Sequence, residues 1–172
     1  MKPQAIAGVS AGADSEMESV YPSIAATSVG RLVGTICDAI PLRIGGVKLS
    51  TLLFALPLAP IAVLPYIWLK LFGQRYIVTN RAVRVVSTLG VRLYREIPLG
   101  EIDNAAVDVK AGQAFYHAGD LVLLKASGEA IATLEGVARP YRLRQIILDA
   151  REARRSSDSS LATINARQPQ PA

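Results

Sequence analysis

The sequence predicts a mainly β domain of six to seven short strands, closed by a C-terminal α-helix and preceded by a single apolar segment. Residues 49–69 hold 21 amino acids without one charge. From Gln74 onward, short runs alternate apolar and polar residues with the two-residue period of a strand. From Pro140 onward, apolar residues recur at helical spacing. These three patterns divide the chain of 172 residues into a membrane-sized segment and a domain with a modest core.

The N-terminal part is predicted to be weakly structured. Residues 1–28 are rich in Ala, Ser and Gly and lack an apolar period, so we expect a disordered tail. Residues 29–48 are more apolar and approach helical spacing, but Pro41 and Gly45 interrupt the pattern. They predict either a linker or a short helix lying on a membrane surface.

The uncharged segment, residues 49–69, matches a bilayer in length. As a helix it would extend about 31 Å at 1.5 Å per residue, and a hydrocarbon core is about 30 Å thick. Tyr66 and Trp68 stand next to Lys70, as aromatic residues do at a membrane interface. Three prolines in the segment leave three interpretations open: one kinked crossing, a re-entrant hairpin, or a buried helix of a soluble fold.

The charges around this segment predict its orientation in the cell membrane. The cations before it are offset by Asp38, whereas the run from Lys70 to Arg95 holds six cations and no acid. Because positive flanks stay in the cytoplasm, we expect the C-terminal domain there. The six cations of this basic run are Lys70, Arg75, Arg81, Arg84, Arg92 and Arg95.

Residues 70–155 form the predicted domain. Short β-rich runs, separated by turn signals, predict a sandwich or small barrel. The helix that begins near Pro140 would place Tyr141, Leu143 and Ile147 on one face and cap an open end of the barrel. Residues 156–172 are polar and predict a second disordered tail.

One set of motifs resembles a known family. The set begins with Tyr76-Ile77-Val78-Thr79-Asn80-Arg81 and the turn glycine Gly90. It continues through Ile97-Pro98-Leu99, His117-Ala118-Gly119-Asp120-Leu121 and Leu134-Glu135-Gly136-Val137. Together with the apolar segment, these residues resemble membrane-associated bacterial pleckstrin-homology-like (PH-like) domain proteins. The resemblance implies a bent seven-stranded sandwich or barrel closed by a helix. It also implies a non-enzymatic protein whose loops and strand edges bind phospholipid head groups, peptides or partner domains.

Residues typical of catalysis or of a metal site are sparse. The chain has one His and one Cys, and the apolar segment separates Cys37 from His117. His117 with Asp120 is two potential ligands, where a metal site needs three or four. No glycine-rich phosphate loop is present. We therefore expect no enzyme activity, no catalytic residue, no metal and no cofactor.

Two binding functions remain, and both place the protein at a lipid bilayer. In one, the domain is a scaffold that binds a protein partner or self-associates through an exposed strand edge. In the other, the basic run defined above binds anionic phospholipid head groups. Strand alternation predicts that Arg81 and Arg84, three residues apart, cannot share one face. Nucleic acid is not expected as a partner, since no recognised nucleic-acid-binding fold is evident.

Overall fold

Two antiparallel sheets and a C-terminal helix make up the domain, as predicted. The computed structural model describes residues 14–39, 43–44, 47–48, 63, 66–68, 70–89 and 92–167. The described strands are β1 (Glu16–Val20), β2 (Arg43–Ile44), β3 (Val47–Lys48), β4 (Gln74–Thr79), β5 (Ala82–Ser87), β6 (Leu93–Pro98), β7 (Asn104–Asp108), β8 (Ala118–Leu124) and β9 (Ala130–Ala138). The described α-helices are α1 (Ser28–Ala39) and α2 (Pro140–Arg167).

The strand order places two sheets against each other. The four-stranded sheet has the order β1-β4-β5-β6, and the three-stranded sheet has the order β7-β8-β9. Strands β2 and β3 pair with each other and with no other strand in the described part of the chain. The core lies between the two sheets and α2, and its largest fully buried side chains are Val78, Val83, Ile97, Leu99, Ile102, Leu121, Leu123, Leu134, Val137, Leu143 and Ile147.

Thr79 organises the turn between β4 and β5. It is 3% exposed, and its hydroxyl accepts hydrogen bonds from the backbone N–H groups of Arg81 and Ala82. The same hydroxyl donates to the carbonyl of Ala82. A threonine can satisfy turn backbone groups in this way. The Thr-Asn-Arg motif therefore has a structural role in this hairpin.

The prediction that residues 1–28 are disordered is wrong for residues 16–20, because these form β1. This strand pairs with β4, for example Ser19 with Ile77. The backbone of Asn80 donates to the carbonyl of Ser15, and the Asn80 side chain accepts from the Ser15 N–H. Residues 16–20 are polar and alternate only weakly, but they form a strand because β4 has an edge with which they can pair. The period of apolar residues in a sequence does not show that such an edge is available.

The segment after β1 joins the two sheets. Pro22 forms a bridge with Val137 of β9, and the Ser23 N–H donates to the carbonyl of Gly136 at 2.8 Å. Tyr76 of β4 reaches the same place, since its hydroxyl accepts from the Glu135 N–H at 3.1 Å. Burial raises the pKa of Tyr76 to about 12, so the phenol stays protonated at neutral pH. The N-terminal segment thus closes one seam of the sandwich.

Helix α1 packs on the turn before β8 by direct backbone contact. A Cβ added to Gly34 would lie 2.1 Å from the carbonyl oxygen of Gly112 and 2.8 Å from the Tyr116 ring. Gly112 has φ +80, which glycine adopts without strain. Two glycines at one contact allow the helix to approach this closely.

Helix α2 begins at Pro140, as predicted, but it differs from the prediction in its length and in the position of Tyr141. It continues to Arg167, so residues 156–167 of the predicted tail are helical. Leu143 and Ile147 face the core as expected, but Tyr141 is 69% exposed. Tyr141 lies in the first helical turn and faces away from the core.

The uncharged segment lies largely outside the described residues. Within it, only residues 63 and 66–68 are described, and they are helical. None of the helices in the described part of the chain is both long and apolar enough to cross a membrane. The three interpretations of residues 49–69 therefore remain predictions.

Candidate functional site

The six residues of the basic run do not converge on one cradle. Lys70 is in the helical residues before β4, and Arg75 is in β4 itself. Arg81 lies in the β4–β5 turn and Arg84 in β5. The other two lie at the free side of the same sheet: Arg92 precedes β6, and Arg95 is within it.

Arg81 and Arg84 lie on the same side, contrary to the prediction from strand alternation. Both contact Asp14: the Nε of Arg81 is 3.8 Å from its carboxylate, and Arg84 forms a direct ion pair with it. Alternation does not apply because Arg81 belongs to the turn rather than to β5. Arg84 also binds Glu96 at 2.9 Å, and this hydrogen bond raises the pKa of Arg84 above its usual value. Two of the six cations are therefore engaged by acids.

The other four cations differ in their surroundings. Arg75 is half-buried, and its Nε has no hydrogen-bond partner among the described residues. Lys70 is exposed, with its Nζ 5.7 Å from the centre of the Tyr66 ring. Arg92 and Arg95 are exposed and make no ion pair with another described residue. Of the six cations in the basic run, Lys70, Arg92 and Arg95 are thus the ones that are exposed and make no ion pair with a described residue.

Large apolar side chains are exposed before the uncharged segment, in its C-terminal part and directly after it. Nine of the sixteen exposed large hydrophobic residues in the described part of the chain lie there. We call these nine the apolar flanks: Val29, Leu32 and Ile36 of α1, Val63, Tyr66, Ile67 and Trp68 in the last third of the segment, and Leu71 and Phe72 after it. A cavity of about 270 Å³ separates Tyr66 and Lys70 from Tyr21, Pro22 and Ile24. Such a concentration of exposed apolar side chains marks an interaction surface.

Strand β6 forms an edge of the four-stranded sheet. Among the described strands it pairs only with β5, and the register shifts between Val85 and Val86. Leu93 is 52% exposed and Tyr94 is 50% exposed. An edge with unpaired backbone groups and exposed apolar residues can accept an extended segment as a further strand.

Asp120 is the centre of a buried polar cluster that the sequence reasoning missed. It is 2% exposed and accepts hydrogen bonds from the Gln113 side chain at 2.7 Å and the Gly136 N–H at 2.8 Å. Its second oxygen is 2.6 Å from the Nζ of Lys110. Burial alone would raise the pKa of Asp120, but these three donors outweigh it and hold the pKa below the usual 3.8. The sequence signal that could have predicted this cluster is Asp120 itself, a single acid within the otherwise apolar strand β8.

His117 does not belong to a metal site in the described residues. No group of three or more His, Cys, Asp or Glu residues in the described part of the chain has metal-binding geometry. His117 instead ends a short 3-10 turn in the left-handed conformation, with φ 50. Its carbonyl accepts from the Arg139 N–H at 3.0 Å.

Comparison with known proteins agrees with this architecture. The family model for the bacterial PH domain matches residues 27–151. Searches of curated proteins and of solved structures gave no match. Domains of this kind are generally non-enzymatic modules that bind lipids or proteins. Because the match covers well over half of the 172 residues and the fold has the expected two sheets and terminal helix, this chain belongs to the bacterial PH domain family.

Proposed function

We propose that this protein is a membrane-anchored bacterial PH domain that acts as a scaffold for a protein partner on the cytoplasmic side of the cell membrane. The observation that carries the proposal is the position of the apolar flanks, which lie before a 21-residue uncharged segment, in its last third and directly after it. Chain that enters and leaves a bilayer needs apolar side chains at just these places. Trp68 and Tyr66, followed by Lys70, have the composition of an interface belt.

The partner contact is assigned to the edge of β6. Leu93 and Tyr94 supply apolar contact, and the backbone edge supplies hydrogen bonds for an added strand. Arg92 and Arg95 favour a partner segment that carries acidic residues next to its apolar ones. Glu96 and Pro98 protect the second half of the strand against unspecific pairing. The site thus spans only the first half of β6.

The membrane contact can be tested with the fluorescence of Trp68, the only tryptophan of the chain. We expect vesicles of phosphatidylcholine brominated near the head group to quench Trp68, because its 66% exposed ring would lie in the interface. In a Trp68→Phe background, Leu32→Trp should be quenched as well. Leu89→Trp is the matched control, since Leu32 and Leu89 are both 61% exposed but Leu89 lies in the β5–β6 turn.

Absence of quenching at both Trp68 and position 32 would contradict the membrane contact. The same experiment separates the scaffold from the second candidate, a reader of anionic phospholipids. For that function, Lys70, Arg92 and Arg95 would supply roughly 1 kcal/mol each towards an anionic surface. Quenching that requires anionic lipid, and that Lys70→Glu, Arg92→Glu and Arg95→Glu abolish together, would favour the lipid reader. Equal quenching in neutral vesicles favours an apolar anchor.

The partner contact can be tested by photo-crosslinking in cells. A photoreactive amino acid at position 94 should give a discrete protein adduct, and Leu93→Glu should abolish it, because the buried charge would oppose docking. The control position is Thr133, which is exposed on the described edge strand β9 of the other sheet. Identical adducts at positions 94 and 133, or an adduct that persists with Leu93→Glu, would contradict the assignment of β6.

A further inference from the structure

We infer that the cavity beside the start of α2 binds a small organic phosphate, one that carries its anion on a short apolar group. The cavity has a volume of about 490 Å³ and lies between the end of β7, the 3-10 turn before β8 and the first turn of α2. It is separate from the basic run, the apolar flanks and the β6 edge. The inference therefore does not depend on the proposed function.

The charge of the cavity wall has one sign. His117, Arg139 and Arg142 line it, and none of its lining residues is acidic. Arg142 is 61% exposed at its side chain, and its partner Glu18 is 3.6 Å away in the neighbouring cavity. Guanidinium groups bind phosphate oxygens through paired, charge-assisted hydrogen bonds. The wall thus offers the guanidinium of Arg139 and the imidazole of His117 directly, and the guanidinium of Arg142 once an anion displaces Glu18.

The remaining wall is apolar and open to solvent. Tyr141 is 69% exposed and Val109 is 43% exposed, and both line the cavity together with Pro140. A bound apolar group would cover these side chains and gain roughly 0.8 kcal/mol for each CH₂ removed from water. The cavity therefore suits an amphiphilic anion better than a free inorganic one.

Backbone geometry holds two of the polar lining residues in fixed positions. His117 has φ 50 and Arg139 has φ 52, the only two positive values among non-glycine residues in the described part of the chain. The N–H of Arg139 binds the carbonyl of His117 at 3.0 Å, so the two conformations are coupled. Left-handed backbone is costly for such residues and is concentrated at functional sites. Both side chains line the same cavity.

The experiment uses His117 as a reporter, because it is the only histidine of the chain. Butyl phosphate is titrated into the full-length protein at constant pH, and the imidazole C–H resonances are followed by NMR. We expect a saturable shift. Inorganic phosphate should require a higher concentration for half-saturation, because it leaves the apolar wall uncovered, and butanol should give no saturable shift.

Variants test the assigned groups without disturbing the fold. Arg139→Gly removes a cation at a backbone position that glycine prefers, and Arg142→Gln removes another. Each should weaken butyl phosphate binding about tenfold or more, as expected for a lost charge-assisted hydrogen bond. Arg155→Gln is the control, since it removes the same charge from α2 beside Asp103 rather than beside the cavity. It should leave binding unchanged.

The outcomes are distinct. Competition by vesicles that contain phosphatidic acid would support a lipid head group as the source of the phosphate. Undisturbed butyl phosphate binding in their presence would support a soluble ester. Absence of a saturable shift, equal binding of inorganic phosphate, or unchanged binding in both Arg139→Gly and Arg142→Gln would overturn the inference.

Discussion

Replacing Asp120 with alanine is expected to lower the free energy of unfolding by about 2–5 kcal/mol, because two buried donors lose their acceptor. The substitution removes the common acceptor of three donors: Gln113, Gly136 and Lys110. The Gln113 side chain is 0% exposed and would lose a hydrogen bond without access to water. Urea denaturation of the full-length protein, followed through the β-sheet circular dichroism signal, measures the loss.

Lys110 provides the control for this prediction. Its side chain is 43% exposed, but Lys110→Met would leave the buried Asp120 carboxylate with only two neutral donors, so it should cost about 1–3 kcal/mol. A loss of less than about 1 kcal/mol for Asp120→Ala would contradict the view that this cluster holds the turn before β8, β8 itself and β9 together. A loss equal to that of Lys110→Met would instead assign the effect to the ion pair alone.

The same cluster makes stability dependent on pH at the acid end. The pKa of Asp120 is lowered in the folded protein, so the folded state favours the ionised carboxylate. Its stabilisation is fully present above the unfolded pKa of about 3.9 and is lost as the pH falls through the lower folded value. We expect the difference in unfolding free energy between the wild type and Asp120→Asn to shrink as the pH falls below about 3.9.

Replacing Gly34 with alanine is expected to detach α1 from the β domain. An added Cβ would lie 2.1 Å from a backbone oxygen of Gly112, which no side-chain rotation can relieve. Overpacking of this kind costs about 1–3 kcal/mol. In an isolated helix the same change would stabilise by about 1 kcal/mol. The sign of the effect therefore reports whether α1 is docked.

Hydrogen exchange of the α1 amides measures this detachment. Gly34→Ala should raise exchange in residues 28–39 while the amides of β8 remain protected. The control is Gly100→Ala, because a Cβ there meets nothing within 4 Å and the backbone is compatible with alanine. Unchanged exchange in α1 would contradict the backbone contact between Gly34 and Gly112.

The docking of α1 links the domain to the apolar segment. Buried Gly30, Gly34 and Cys37 face the domain, whereas Val29, Leu32 and Ile36 remain exposed. In the proposed function these exposed residues contact a bilayer, and a detached α1 would no longer orient the β sheets above it. Because the proposed scaffold function requires the β6 edge to be presented to a partner, that function predicts that Gly34→Ala weakens the position-94 adduct as well.

Local patterns in the sequence determined much of the β domain. Alternation in β5, the turn residues around Gly128 and the amphipathic start of α2 each act within a few residues, so period and turn chemistry are sufficient to predict them. The family resemblance rested on the same local motifs. Thr79 is an example, because its hydroxyl binds backbone groups of its own hairpin.

Contacts between distant residues were decided only by the tertiary structure. Strand β1 forms because β4 leaves an edge that it can join, and Asp14 brings together Arg81 and Arg84, about 70 residues further along the chain. Asp120 is charged at a buried position only because Lys110, Gln113 and Gly136 surround it. Periodicity carries no information on which remote group will satisfy a hydrogen bond or an ion pair, since that depends on how the two sheets meet. The sequence by itself therefore determined the fold class and the uncharged segment. Packing alone decided which residues of the basic run remain exposed. It also brought Arg139 and Arg142 to the wall of one cavity.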